Sequence, residues 1–130
     1  KSYGSLDEND PMMKMINGNW NPGDYTEFVK KYIEEHYMNE IKLADLALVA
    51  HVTPSYLSTK FKKETGISFT EYLVRHRIRK AKKLIQSGNS SFKEVADAVG
   101  YHDYVQFSKM FKKYAGVAPS IYRQASFKTE

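Results

Sequence analysis

Two pairs of lysines stand at matching places in this chain, and their setting indicates what they could bind. The stretch Phe61-Lys62-Lys63-x-x-Gly66 recurs as Phe111-Lys112-Lys113-x-x-Gly116. Each lysine ammonium group offers three hydrogen-bond donors, which suit the phosphate oxygens of a nucleic acid. The lysine pairs therefore indicate a polyanionic ligand.

The lysine pairs belong to a longer repeat. The first copy reads Leu43-x-x-Leu46-Ala47-x-x-Ala50 and then Leu57-Ser58-x-x-Phe61, and the second reads Phe92-x-x-Val95-Ala96-x-x-Val99 and then Phe107-Ser108-x-x-Phe111. The offset is 49 residues from position 43 to 92 and 50 residues from position 57 to 107. One residue has therefore been added in the connector between the two helices, where insertions cost least. Two copies on one chain could read two separated stretches of duplex.

The helix that carries each lysine pair has a polar face opposite its apolar one. With Leu57 and Phe61 toward the core, a turn of about 100° per residue places small polar side chains and then lysines outside. In a groove-reading helix, residues near the N-terminus meet base edges and basic residues beside them meet phosphates. Base contacts are therefore predicted from Thr59, Val105, Gln106 and Lys109. Phosphate contacts are predicted from Lys62, Lys63, Lys112 and Lys113.

The charge distribution agrees with an anionic partner. Residues 41–130 carry 16 Lys and Arg against 7 Asp and Glu, which gives +9, whereas residues 1–23 carry −1 and residues 24–40 carry −3. A solvated basic surface has the same composition, so that alternative stays open.

The absence of cysteine excludes disulfides and thiolate metal ligands and is compatible with an intracellular setting, for which we expect the cytoplasm and the nucleoid. No apolar run approaches 18 residues, so no membrane span is expected.

The elements that must position these side chains are predicted to be seven helices, which makes the chain all-α. The first predicted helix begins at Asp24 and the second near Lys42. The third runs from Thr53-Pro54 to about Thr65, and the next three cover about 68–86, about 91–99 and about 103–115. The seventh begins at Ala118-Pro119-Ser120. Ser68-x-x-Glu71 is a capping box, and Gly66 and Gly116 suit helix ends. The predicted organisation is a linker or tail over 1–23, left from a missing upstream domain, and one domain over 24–130. Within that domain we expect a first helix-turn-helix at about 41–66, a connecting helix at about 68–86 and a second helix-turn-helix at about 90–116.

The predicted connecting helix has a length that suits two reading helices. Its residues 68–86 span roughly 28 Å at a rise of about 1.5 Å per residue. Successive major grooves on one face of a duplex lie about 34 Å apart. A rod of this length could hold one reading helix in each of two adjacent grooves, and any shortfall would be met by bending of the duplex.

Together the motifs resemble the DNA-binding domain of the AraC/XylS transcription regulators over about 24–125. The matching segments are Leu46-Ala47, Thr53-Pro54-Ser55-Tyr56-Leu57-Ser58, Phe61 to Gly66, Arg77-Ile78-x-x-Ala81, Val95-Ala96-x-x-Val99-Gly100-Tyr101, Phe107-Ser108-x-x-Phe111 and Pro119-Ser120-x-Tyr122-Arg123. The resemblance implies two helix-turn-helix units joined by a long central helix, with double-stranded DNA as ligand. It adds Ser55, Ser58, Tyr104 and Ser108 to the base-reading positions and implies a role as the output domain of a larger regulator. The further partners implied are RNA polymerase and an upstream sensing or phosphoacceptor domain, with no cofactor.

The same residues also allow other functional interpretations. A helical protein-interaction module that no longer reads DNA would keep the scaffold, and stacking of the ten tyrosines on single-stranded RNA is a third possibility. The four histidines show no metal-ligand spacing, and no arrangement of nucleophile and base is recognisable, so an enzyme is not expected. The charge run from Arg75 to Lys83 suits either a solvated face or further phosphate contacts. Asp103 would repel phosphate unless it caps the helix after it or accepts from cytosine, and a cap is the favoured role.

Overall fold

The structure, a computed structural model, describes residues 24–128, all of whose regular elements are helices. They are α1 (Asp24–His36), α2 (Leu43–Ala50), α3 (Pro54–Thr65), α4 (Phe69–Ser87), α5 (Phe92–Ala98), α6 (Tyr104–Ala115) and α7 (Pro119–Lys128). The prediction of an all-α chain with seven helices is confirmed for this range. The predicted linker or tail over residues 1–23 lies outside it.

The helices begin where the sequence places a side chain that can accept from their first free amides. Thr53 Oγ1 accepts from the amide of Tyr56 at 3.0 Å, and Ser68 Oγ accepts from the amide of Glu71 at 3.1 Å. Ser91 and Glu94 form a reciprocal capping box at the start of α5. Predicted helix starts at 68, 91 and 103 were one residue early because the capping residue keeps extended backbone outside the helix.

The structure divides into two compact units, and the first contains α1, α2 and α3 within residues 24–36 and 41–71. Both α1 and α2 contact α3. Its buried apolar side chains are Phe28, Val29, Ile33, Leu46, Ala47, Ala50, Leu57, Phe61 and Phe69. Leu43, the first residue of the repeated apolar pattern and of α2, is only half-buried. Burial of Leu57 and Phe61 turns the opposite face of α3 to solvent.

The second unit contains residues 37–40 and 72–128, with most of α4 and all of α5, α6 and α7. Its core contains Ile78, Ala81, Ile85, Val95, Ala96, Val99, Tyr101, Phe107 and Phe111. The rings of Phe107 and Phe111 lie 5.7 Å apart, and Tyr122 of α7 meets Phe111 edge-on at 5.5 Å. These contacts fix α6 by its inward face. Of the adjacent pair Leu84 and Ile85, only Ile85 enters the core.

Arg77 ties the connector after α1 to this second core. Its Nε donates to the carbonyl of Tyr37 at 2.7 Å, its Nη2 donates to the carbonyl of Asn39 at 2.8 Å, and its guanidinium carbon lies 5.3 Å from the centre of the Tyr101 ring. Gly100 lies beside them with φ +105°, and a Cβ there would stand 2.7 Å from the Tyr37 carbonyl oxygen. Only glycine fits this close approach of two backbone segments.

Candidate nucleic-acid interface

The exposed face of α3 carries the side chains expected for base contacts. Ser55, Ser58 and Thr59 are exposed, while Leu57 and Phe61 on the opposite face are fully buried. Pro54 occupies the first turn and Thr53 caps it, so the helix begins abruptly and Ser55 lies exposed in its first turn. Three small hydroxyl side chains leave the backbone of this helix accessible to a groove.

A shallow cleft on the first unit joins a predicted base-reading residue to a predicted phosphate-binding residue. It is lined by Tyr56, Thr59, Lys60 and Lys63. Lys60 forms an ion pair with Glu64 at 2.8 Å, and Thr26 also donates to that carboxylate. These donors hold the pKa of Glu64 below its ordinary value. The hydrogen bond from Lys60 to Glu64 also raises the pKa of Lys60. Lys60 is thus engaged within the protein, whereas Lys63 is exposed.

The exposed face of α6 has the same organisation as that of α3. Val105 is 60% exposed, and Gln106 and Lys109 are also exposed. Ser108 is half-buried, so it offers less surface than the prediction assumed, because it lies nearer the core side of the helix. Tyr104 is 39% exposed, and its ring lies 5.9 Å from that of Phe107, so it both packs on the core and reaches solvent.

Asp103 caps α6. Its Oδ1 accepts from the backbone amides of Val105 at 3.0 Å and Gln106 at 3.4 Å. The carboxylate satisfies two amides that the helix leaves without partners and lies at the positive end of the helix dipole. The structure therefore supports the capping role that the sequence favoured.

The lysine pairs occupy the last turns of the two candidate reading helices. Lys62, Lys63, Lys112 and Lys113 are all exposed. Each helix ends at a glycine with φ +88°, whose amide donates to the carbonyl of the first lysine of its pair, Lys62 or Lys112, at 2.8 and 2.9 Å. Lys113 Nζ also lies 5.3 Å from the centre of the Tyr114 ring. Ammonium groups are favoured at a helix C-terminus and are placed here beside the exposed polar faces.

Within the charge run on α4, Arg77 differs from its neighbours in a way that the sequence did not reveal. Arg77 is half-buried and bound to backbone carbonyls, and burial lowers its pKa from the ordinary value. It is therefore no part of a solvated or phosphate-binding face. Its place four residues before Ala81 and eight before Ile85, in a row of core residues, is the sequence signal that could have shown this.

The histidines do not assemble a metal site. In residues 24–128 no group of three or more histidine, aspartate and glutamate side chains could hold a metal ion. His51 and His102 are exposed in the two connectors, and His51 ends α2 with φ +62°. His76 is 4% exposed, and burial, aided by Arg79 and Lys80, lowers its pKa to about 4.

Among the helices of residues 24–128, none combines the length and the apolar character that a membrane span requires.

Two helix-turn-helix units with polar and basic exposed faces define the class of DNA-binding helix-turn-helix proteins. The family profile described as "Helix-turn-helix domain" matches residues 46–125. The chain is 32% identical over 124 residues to the Msm operon regulatory protein of Streptococcus mutans, covering 95% of this chain and 45% of that relative. The chain therefore belongs to the AraC-type helix-turn-helix family, whose members regulate transcription by binding DNA.

Solved structures show the same fold. The C-terminal domain of AraT, a response regulator from Geobacillus stearothermophilus, superposes with a TM-score of 0.76 at 36% identity, covering 81% of this chain and 86% of that one. The DNA-binding domain of AdpA, a global transcriptional factor solved with a target DNA, superposes with a TM-score of 0.71 at 25% identity, covering 78% of this chain and 90% of that one. The chain spans less than half the length of the S. mutans relative.

Proposed function

We propose that this chain is the DNA-binding output domain of a larger transcription regulator and reads two adjacent major grooves with α3 and α6. The base-reading set would be Ser55, Ser58 and Thr59 on α3 and Tyr104, Val105, Gln106, Ser108 and Lys109 on α6. The phosphate set would be Lys62, Lys63, Lys112 and Lys113. The proposed activity is binding alone, with no catalytic step and no cofactor.

One observation carries this proposal: α3 and α6 repeat the same construction. Each has 12 residues, a side-chain cap, two buried aromatic or aliphatic residues four apart, an exposed outward face in its first half and a lysine pair in the last turn. The cap and the buried pair fix the rotation of the helix about its axis, and the exposed half then faces a ligand. Two equivalent helices suit a duplex, which presents equivalent grooves at each turn.

The length of α4 is comparable to one helical repeat of a duplex. Its 19 residues extend about 28 Å along the helix axis, against the roughly 34 Å repeat of a duplex. We propose that the duplex bends when it is bound, so that the ease of bending adds to sequence preference.

The proposed upstream domain and partners of the regulator are inferred from its relatives. AraT is a response regulator whose C-terminal domain matches this chain, which supports an upstream sensing or phosphoacceptor domain here. Regulation of transcription supports RNA polymerase as a partner. Because genomic DNA is the proposed ligand, we place the activity in the bacterial cytoplasm, at the nucleoid.

Selection of bound duplexes from a random pool tests this function. Two half-motifs with centres about 10 base pairs apart are expected, and Lys109→Ala should relax only one of them. A single half-motif, or none, would contradict two-groove reading. The affinity for selected duplex should also fall steeply with added salt, and a flat response would favour the protein-interaction module.

A further inference from the structure

A basic cleft in the second unit lies between α4 and α6 and borders the outward face of α6. It is lined by Arg75, Ile78, Arg79, Lys82, Lys113 and Tyr114. The first four follow the spacing i, i+3, i+4, i+7, so they form one stripe along α4. Ile78 is 1% exposed and belongs to the core of the unit. Three cations of α4 and one of α6 therefore surround a common space.

The cations of this cleft are held in place by neighbouring side chains. Arg75 and Lys113 both lie against the Tyr114 ring, at 5.6 and 5.3 Å from its centre. Each contact is favourable because the face of an aromatic ring carries partial negative charge. Two like charges from different helices are thus drawn to one ring, which limits their freedom before any ligand arrives.

Arg79 is positioned by a buried histidine. Its Nη2 lies 2.8 Å from Nδ1 of His76, which is 4% exposed and packs edge-on against Tyr37. Burial lowers the pKa of His76 to about 4, so the ring is neutral near pH 7 and its Nδ1 accepts from the guanidinium. A guanidinium has five N–H donors, and this contact uses one of them.

We propose that this cleft binds a phosphate group. Guanidinium and ammonium donors converging on one space are the usual means of binding phosphate, and arginine adds the two-pronged geometry that matches its oxygens. Gathering four positive charges costs free energy through mutual repulsion, and an anion of charge −1 or −2 relieves it.

The duplex is one source of that phosphate. Lys113 lies about 80° around α6 from Val105 and about 40° from Lys109, so the cleft borders the face that we propose reads bases. A backbone phosphate beside the groove read by α6 would then enter the cleft, and this form of the inference rests on the proposed function. A phosphorylated small molecule presents the same group.

The experiment compares two double variants with equal charge change. Arg79→Gln with Lys82→Gln removes two cations of the cleft, whereas Lys42→Gln with Lys93→Gln removes two exposed lysines outside it. Circular dichroism melting establishes that both remain folded. Binding to a selected duplex is measured across salt concentrations, and arginine side-chain NMR signals are followed during titration with inorganic phosphate against chloride at equal ionic strength.

The outcomes separate the two sources and the two proposals. A salt slope lowered by about 0.9 or more in the cleft variant alone assigns a duplex phosphate to the cleft. Saturable shifts of Arg75 and Arg79 with phosphate but equal slopes in both variants assign a small phosphorylated ligand. Equal slopes without such shifts overturn the proposal. If the unaltered chain fails to bind duplex, the proposed function fails, and the phosphate titration alone decides the cleft.

Discussion

Oδ1 of Asp103 accepts from the backbone amide of Val105 at 3.0 Å, which places a carboxylate at the start of the helix proposed to read DNA. Asp103→Ala should destabilise the protein by about 0.5–2 kcal/mol, because two helix amides lose their acceptor. Asp103→Asn keeps an acceptor and removes a charge that repels phosphate. Its melting temperature should stay near that of the parent while duplex affinity rises. Lower duplex affinity of the Asn variant would show that the carboxylate itself contacts a base.

Lys109 is exposed on α6, and we propose that it donates to a guanine. Lys109→Ala should cost about 1–3 kcal/mol of duplex binding and relax the preference at one base pair. Sequence preference is measured by selection from a random pool, with Lys93→Ala on α5 as the matched control. If the preferred sequences of the Lys109 variant match those of the parent chain, Lys109 reads no base.

Lys63 and Lys60 lie on one helix but differ in their partners. Lys63→Ala should weaken binding to all duplexes alike and lower the slope of log affinity against log salt by about one. Lys60→Ala should change the slope little, because Lys60 already pairs with Glu64 at 2.8 Å. Fluorescence anisotropy over a salt series gives both slopes, and a larger change for Lys60 would reverse this assignment.

Phe111 is the aromatic residue at the centre of the second core. It is fully buried between Phe107 and Tyr122, so Phe111→Ala should lower the free energy of unfolding by roughly 3–5 kcal/mol. Phe111→Leu keeps much of the volume and should cost less. Urea unfolding measures both, and an unaltered midpoint for the alanine variant would mean that Phe111 lies outside the core.

His76 should make the stability depend on acid. Its pKa is about 4 in the folded chain against an ordinary 6.5, so between these values the unfolded chain binds more protons. The free energy of unfolding should therefore be highest above about pH 6.5 and fall as the pH drops toward 4, by about 3 kcal/mol in all.

His76→Gln should make this decline shallower than in the parent chain. Denaturant unfolding at several pH values measures both chains. Parallel curves for the parent and His76→Gln would assign the acid sensitivity to other groups.

The boundaries and exposed faces of α3 and α6 show how much of the structure local sequence determines. The repeated apolar spacing, the capping residues and the glycines at the helix ends predict α3 and α6 to within about one residue, because these signals act within a single turn. The exposed faces of α3 and α6 follow from the same spacing, since burial of Leu57 and Phe107 sets the rotation of each helix.

Other features depend on residues far apart in the chain. The sequence alone predicted two helix-turn-helix units and most of the side chains that each turns outward, with Ser108 half-buried instead of exposed. Only the tertiary structure decided that Arg77 leaves the charged face to bind the carbonyl of Tyr37, 40 residues earlier, and that Arg75 and Lys113 meet at the Tyr114 ring. Helical periodicity reports which face of one helix is apolar, whereas partners brought together by packing of different elements leave no periodic signal.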